Sequence, residues 1–413
     1  MARIEPFRAW RPRPDLAERV ASPPYDVINT EEARELAGGN PLSFLHVVKP
    51  EIDLPPGTDP YAPEVYEKGA ENLRRLIADG VLIREGRPAL YLYRQRMGGH
   101  VQTGVVAGAS VDEYEADLIK KHEHTRRAKE DDRTRHVEAL NANTGPVFLT
   151  YRARPEIDAL VAELTAGEPV YGFTAPDGVV HTLWVVDDPA DRDRLREAFA
   201  GVPVLYVADG HHRSAAAVRV RAKRREANPA HTGEEPYNFF LSVIFPHDQM
   251  MIMDYNRVVR DLAGMDEAAF LDRVRERFDV EAASEPKPRE PRTFGMYLGG
   301  RWYRLRAKDG TYPADDPVRS LDVAILQDNL LAPVLGIGDP RSDERIDFVG
   351  GIRGTAELER LVDSGRWAVA FAMHPTSIDQ LFAVADAGKV MPPKSTWFEP
   401  KLRSGLIVRP LED

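Results

Sequence analysis

The chain has 413 residues, room for two or three domains of the usual ~100–200 residues each, and its 43% hydrophobic and 29% charged content is that of a folded protein rather than a disordered one. Asp and Glu number 66 against 55 Lys and Arg, a formal net charge of −11 that opposes non-specific contact with a phosphate backbone. Cysteine is absent, which excludes disulfides, thiolate nucleophiles, iron–sulfur clusters and cysteine zinc sites.

In chain order, the first ten residues alternate charged with apolar side chains and contain no apolar h-region of a signal peptide. No later run approaches the ~18–20 apolar residues of a membrane span, so a cytoplasmic chain without a membrane partner is expected. Residues 22–28 (SPPYDVI) form a stiff turn before a helix that starts near Asn29, with Glu32 placed for a capping box; Tyr25 and Asp26 read as part of that turn. Helical patterns over 63–80, 155–167, 189–201 and 266–279 open near Pro or Asp, and several close at Gly. Strand–turn–strand patterns cover 89–111 around Gly98-Gly99, 170–186 around Asp177-Gly178 and 293–307 around Gly299-Gly300. Three hairpins among helices predict an α+β or mixed α/β fold. The proline-rich segment 281–292 reads as a linker, giving a main domain over 1–280 and a C-terminal α/β domain over 293–413.

Three segments have the composition for chemistry. Residues 203–208 are a short apolar run and 214–220 are rich in helix formers, so Asp209-Gly210-His211-His212-Arg213 falls on a strand-to-helix turn. Such a turn receives anions: the first helical N–H groups have no internal partner, and the helix dipole adds partial positive charge. Gly210 permits close backbone approach, Arg213 can fork onto phosphate, His211 and His212 can donate hydrogen bonds or move a proton, and Asp209 can hold Mg2+ or orient a hydroxyl. The second segment, 119–151, packs Glu123, Thr125, Lys129, Asp132 and Arg133 ahead of a strand at 146–151: carboxylates as bases and cations for a transferring phosphoryl group. His122, His124 and His136 lack recognised zinc-ligand spacing. The third, 391–406, carries Lys394, Ser395, Thr396, Lys401 and Arg403 on a stiff, proline-rich course, with Lys394 the candidate phosphate clamp. Arg219, Arg221, Lys223, Arg224 and Arg225 form a basic helical run that is a nucleic-acid face or a solvated surface. No P-loop, kinase glycine-rich loop or nucleophile elbow occurs.

The segments SPPYDVI (22–28), HEHTRRAKEDDR (122–133), VADGHHR (207–213), NRV (256–258) and MPPKSTWFEPKLRSGL (391–406) together resemble a bacterial and archaeal family, domain of unknown function one-zero-one-five. The Asp-Gly-His-His-Arg turn also resembles the phosphate-binding strand–turn–helix of the ParB/sulfiredoxin superfamily, in which free-serine kinases use it to hold nucleotide phosphates. This second resemblance implies that Asp209, Gly210, His211, His212 and Arg213 line nucleotide phosphates and that a carboxylate elsewhere is the base, for which Glu123 is the candidate. The expectation is a phosphotransferase acting on a small hydroxyl substrate such as serine, with ATP or ADP and Mg2+ on Asp209, and with Gly210, Arg213, Lys129, Arg133 and Lys394 binding phosphate. Two other uses of the turn stay open: a nucleotide- or DNA-binding ParB-like regulator, and a phosphatase with the histidine pair as acid and base.

Overall fold

A computed structural model describes residues 2–412, which form two compact units: 2–250 together with 400–412, and 251–399. The boundary expected at 281–292 therefore falls at 250/251, and the chain returns to the first unit at 400. Segment 281–292 lies inside the second unit, where it leads from the strand Phe278–Ala282 to the strand Thr293–Leu298 of one sheet. Proline and mixed charge mark a surface connection, and they do so equally between strands and between domains.

In the first unit nine of the described strands form one mixed sheet. Its order is Ile119–Lys120, Leu205–Asp209, Val147–Tyr151, Phe239–Pro246, His100–Ser110, Leu90–Met97, Val180–Val186 and Tyr171–Thr174, with Ile4–Glu5 also beside His100–Ser110. The two hairpins expected here form with their turns at Gly98-Gly99 and Asp177-Gly178. The helices Pro63–Ala78, Pro155–Leu164 and Pro189–Ala200 start at proline, whose fixed φ suits a first helical turn. Asn29 and Glu32 close a full capping box on Thr30–Ala37. The strand Phe239–Pro246 is buried at every position, pairing in parallel with Val147–Tyr151 on one side and antiparallel with His100–Ser110 on the other.

The second unit carries a six-stranded antiparallel sheet in the order Phe278–Ala282, Arg301–Ala307, Thr293–Leu298, Val369–Ala372, Tyr255–Val259, Ile346–Gly350. The helix Thr355–Asp363 packs on it through Leu358, which is fully buried beside Val258, Tyr297, Ala370 and Ala372. Both units are thus mixed α+β layers, as expected, although the second is antiparallel throughout. Helix–strand alternation alone does not separate parallel from antiparallel order when non-neighbouring strands are joined. Among the described residues no helix is long and apolar enough to cross a membrane.

Candidate functional site

Strand direction places the two polar motifs together. Ile119–Lys120 pairs in parallel with Leu205–Tyr206, so both chains leave the sheet at the same end, one into His122-Glu123 and the other into Asp209–Arg213. Val147–Tyr151 runs antiparallel to Leu205–Asp209, which brings Gly145-Pro146 to that end as well. The register between these two strands shifts at Val207/Asp209, an irregularity that redirects the chain into the turn.

Gly210 sits at φ +97°, a left-handed conformation that side-chain-bearing residues rarely adopt, and from it the 17-residue helix His211–Ala227 begins. No side chain caps that helix, so its first-turn amides lack the usual oxygen partner. The Asp209 carboxylate instead accepts from the Gly210 amide at 2.8 Å through Oδ1 and faces Lys401 Nζ at 3.1 Å through Oδ2. Burial acts to raise the Asp209 pKa, but the charges of Lys401 and Arg213 outweigh it and hold the carboxyl well below the usual range.

His211 is 6% exposed; its Nδ1 lies 3.8 Å from Glu123 Oε2, and its ring meets the edge of His122 at 4.5 Å between centroids. His211 Nε2 and His212 Nδ1 are buried without a hydrogen-bond partner, a state that costs about 1–3 kcal/mol per group when no ligand fills it. Lys129 donates to the Tyr61 hydroxyl at 2.9 Å, and its charge joins burial in lowering the His212 pKa.

Arg213 is held by the Pro146 carbonyl and faces Asp26 at 3.5 Å. Arg133 pairs with Asp132 at 2.8 Å and stacks on Tyr25 at 3.8 Å. The two guanidiniums, 13% and 12% exposed, line a narrow cavity of ≈ 30 Å³ with Tyr25, Thr144, Gly145 and Ser404, space for two or three waters at about 10–15 Å³ each. Both arginines expected on phosphate are therefore anchored in the scaffold beside the turn, and Tyr25 and Asp26, read from sequence as a structural turn, border the site.

Lys394 belongs to the second unit, where its ammonium lies over the Tyr255 ring at 5.6 Å and Arg257 donates to its carbonyl. The Asp209 oxygens expected to hold Mg2+ are engaged by Gly210 and Lys401, and the described residues form no cluster of three or more His, Asp and Glu side chains arranged for a metal ion. A metal resident on Asp209 does not fit that arrangement. The basic helical run is largely neutralised within the chain: Arg219 by Asp131 and Glu130, Arg221 by Asp112 and Glu115, Lys223 by Glu138 and Arg224 by Glu412. Ion pairs of this kind are the pattern of a solvated helix face, the other reading of the run.

Burial also sets a pH dependence. It lowers the pKa of His122 and His181 from 6.5 to about 3 and of His136 and His211 to about 4. The unfolded chain binds protons that the folded chain refuses, so stability is full above pH 6.5 and falls as pH drops from 6.5 toward 4, by about 1.4 kcal/mol per pH unit for each such histidine. The expected result is a melting temperature that declines steeply between pH 6.5 and 4.5; His181→Phe should make the decline shallower, and a flat profile would contradict the buried neutral state.

The chain belongs to the family described as "Protein of unknown function (DUF1015)", whose model matches residues 4–324. No curated protein matches it. Among solved structures, a free serine kinase in complex with AMP is similar at 13% identity over 71% of this chain and 86% of its own, with a TM-score of 0.35. SbnI with a C-terminal truncation from Staphylococcus aureus is 14% identical over 74% and 87%, with a TM-score of 0.40. A conserved hypothetical protein from Pyrococcus furiosus is 13% identical over 74% and 95%, with a TM-score of 0.36.

Proposed function

We propose that the first unit is a phosphotransferase that moves a phosphoryl group from a nucleotide to the hydroxyl of a small molecule. The observation that carries this reading is the uncapped helix start at Gly210, with the buried, unpartnered ring nitrogens of His211 and His212 beside it and the Glu123 carboxylate 3.8 Å from His211. The amides of the first helical turn hold the nucleotide phosphates, and Arg213 adds positive charge behind them. Glu123 accepts the proton of the attacking hydroxyl as its oxygen bonds to phosphorus and the bond from phosphorus to the nucleotide's bridging oxygen breaks. His211, neutral near pH 7 because burial keeps its pKa at about 4, adds no positive charge beside the proton that Glu123 collects. A divalent ion enters with the nucleotide, as part of that substrate.

The test is direct. The chain is titrated with ATP and with ADP in the presence of Mg2+ by calorimetry, then incubated with each nucleotide and a panel of small alcohols that includes serine, with phosphoester formation followed by phosphorus NMR. The expected result is saturable binding and a new phosphoester; absence of both removes the reading. Phosphate release from a phosphomonoester without nucleotide would replace it with a hydrolase.

A further inference from the structure

We propose that Lys401 is a phosphate-contacting residue of this site, carried into it by the segment 400–412 and positioned by Asp209. The inference rests on the phosphotransferase reading and adds to it a cation from the far end of the chain.

That segment is fixed along its length. Ser404 bridges to Ser22, Val408 to Trp10, and Arg409–Pro410 pairs with Ala142–Asn143. Gln95 donates to the Lys401 carbonyl at 2.9 Å and Tyr171 to the Leu406 carbonyl at 2.9 Å. Arg403 contacts both His181 and Asp177. Gly405, at φ +88° with Phe44 2.6 Å from where a Cβ would sit, lets the segment close against the core. Its docking is thus secured along its length by contacts other than the Lys401–Asp209 pair.

The ammonium is well placed for another task. Lys401 is 16% exposed at its side chain, and a single carboxylate separates its Nζ from the Gly210 amide: 3.1 Å to Asp209 Oδ2 on one side, 2.8 Å from Oδ1 to the amide on the other. A bare carboxylate at that position would repel a phosphate. Lys401 cancels it and presents a cation at the mouth of the turn, while Asp209 fixes both the turn and the lysine. A lysine that follows the charge of the transferring group is a recurring element of phosphoryl transfer.

The experiment uses the full chain and inorganic pyrophosphate as probe beside the nucleotide. K401M is expected to weaken pyrophosphate binding by about 10–100-fold, the range of one charge-assisted hydrogen bond, and K401R to stay within a few-fold of the native chain. The double variant K401M/D209N should recover part of the affinity, because the uncompensated carboxylate is gone, without recovering turnover. K401M that binds pyrophosphate and turns over like the native chain overturns the assignment. Equal losses in K401M and K401R, accompanied by equal drops in melting temperature, also overturn it, since only a structural pair would then be involved. If the native chain binds neither pyrophosphate nor nucleotide, the phosphotransferase reading falls and this one with it; if the native chain turns over and K401M is unaffected, this one falls alone.

Discussion

Glu123→Gln is expected to lower turnover by about 10²–10⁴-fold, the usual contribution of a positioned general base, while nucleotide affinity changes by no more than a few-fold. The Glu123 side chain is 43% exposed and its contact with His211 is 3.8 Å, beyond hydrogen-bond length, so the amide neither empties a packed space nor strands a buried partner. Surface changes of that kind fall within about ±0.5 kcal/mol of native stability. The variant therefore separates chemistry from binding. A collapse of affinity with kcat intact would place Glu123 in the nucleotide pocket instead of at the hydroxyl, and native turnover would remove it from the mechanism.

The contrast between Glu123 and Lys401 shows which parts of the site are readable in a chain. The turn at Gly210 is local: an apolar run at 203–208, Asp-Gly, then helix formers, each signal within a few residues of the next. The hairpins at 98–99 and 177–178 are legible for the same reason. What brings Glu123 to His211 is parallel pairing of two short strands far apart in sequence, which periodicity does not encode. Asp26 and Arg213 are 187 residues apart, Lys401 and Asp209 192. The phosphate-compatible segment at 391–406 was recognisable, but the unit boundary at 399/400 passes through it, leaving Lys394 in the second unit and Lys401 in the first. Composition is continuous across that boundary, so it favours neither lysine. The buried strand Phe239–Pro246 is an apolar run with little alternation, ambiguous between strand and helix until its neighbours are known.

Gly210→Val is expected to abolish nucleotide binding, by about 100-fold or more, and to lower the melting temperature by about 4–8 °C. A β-branched residue held near φ +97° is strained by about 1–3 kcal/mol, and about 2 kcal/mol in a unit of this size corresponds to that thermal shift. Space adds to the strain: a Cβ at position 210 meets Val147 Cα at 3.4 Å and the Arg213 guanidinium at 3.3 Å. The strand backbone is the less yielding neighbour, so relief comes from a shifted helix start or a displaced Arg213, and either change disturbs the first-turn amides of the helix. Gly210→Ala keeps the backbone strain with less crowding, so it should lose less stability while still weakening nucleotide binding. The pair distinguishes two origins of the loss. Binding that falls in proportion to stability across both variants would mean that the nucleotide senses only the integrity of the unit, whereas binding lost well ahead of stability in Gly210→Ala ties the anion to the left-handed turn itself. Native affinity in both variants would mean that the phosphates bind elsewhere.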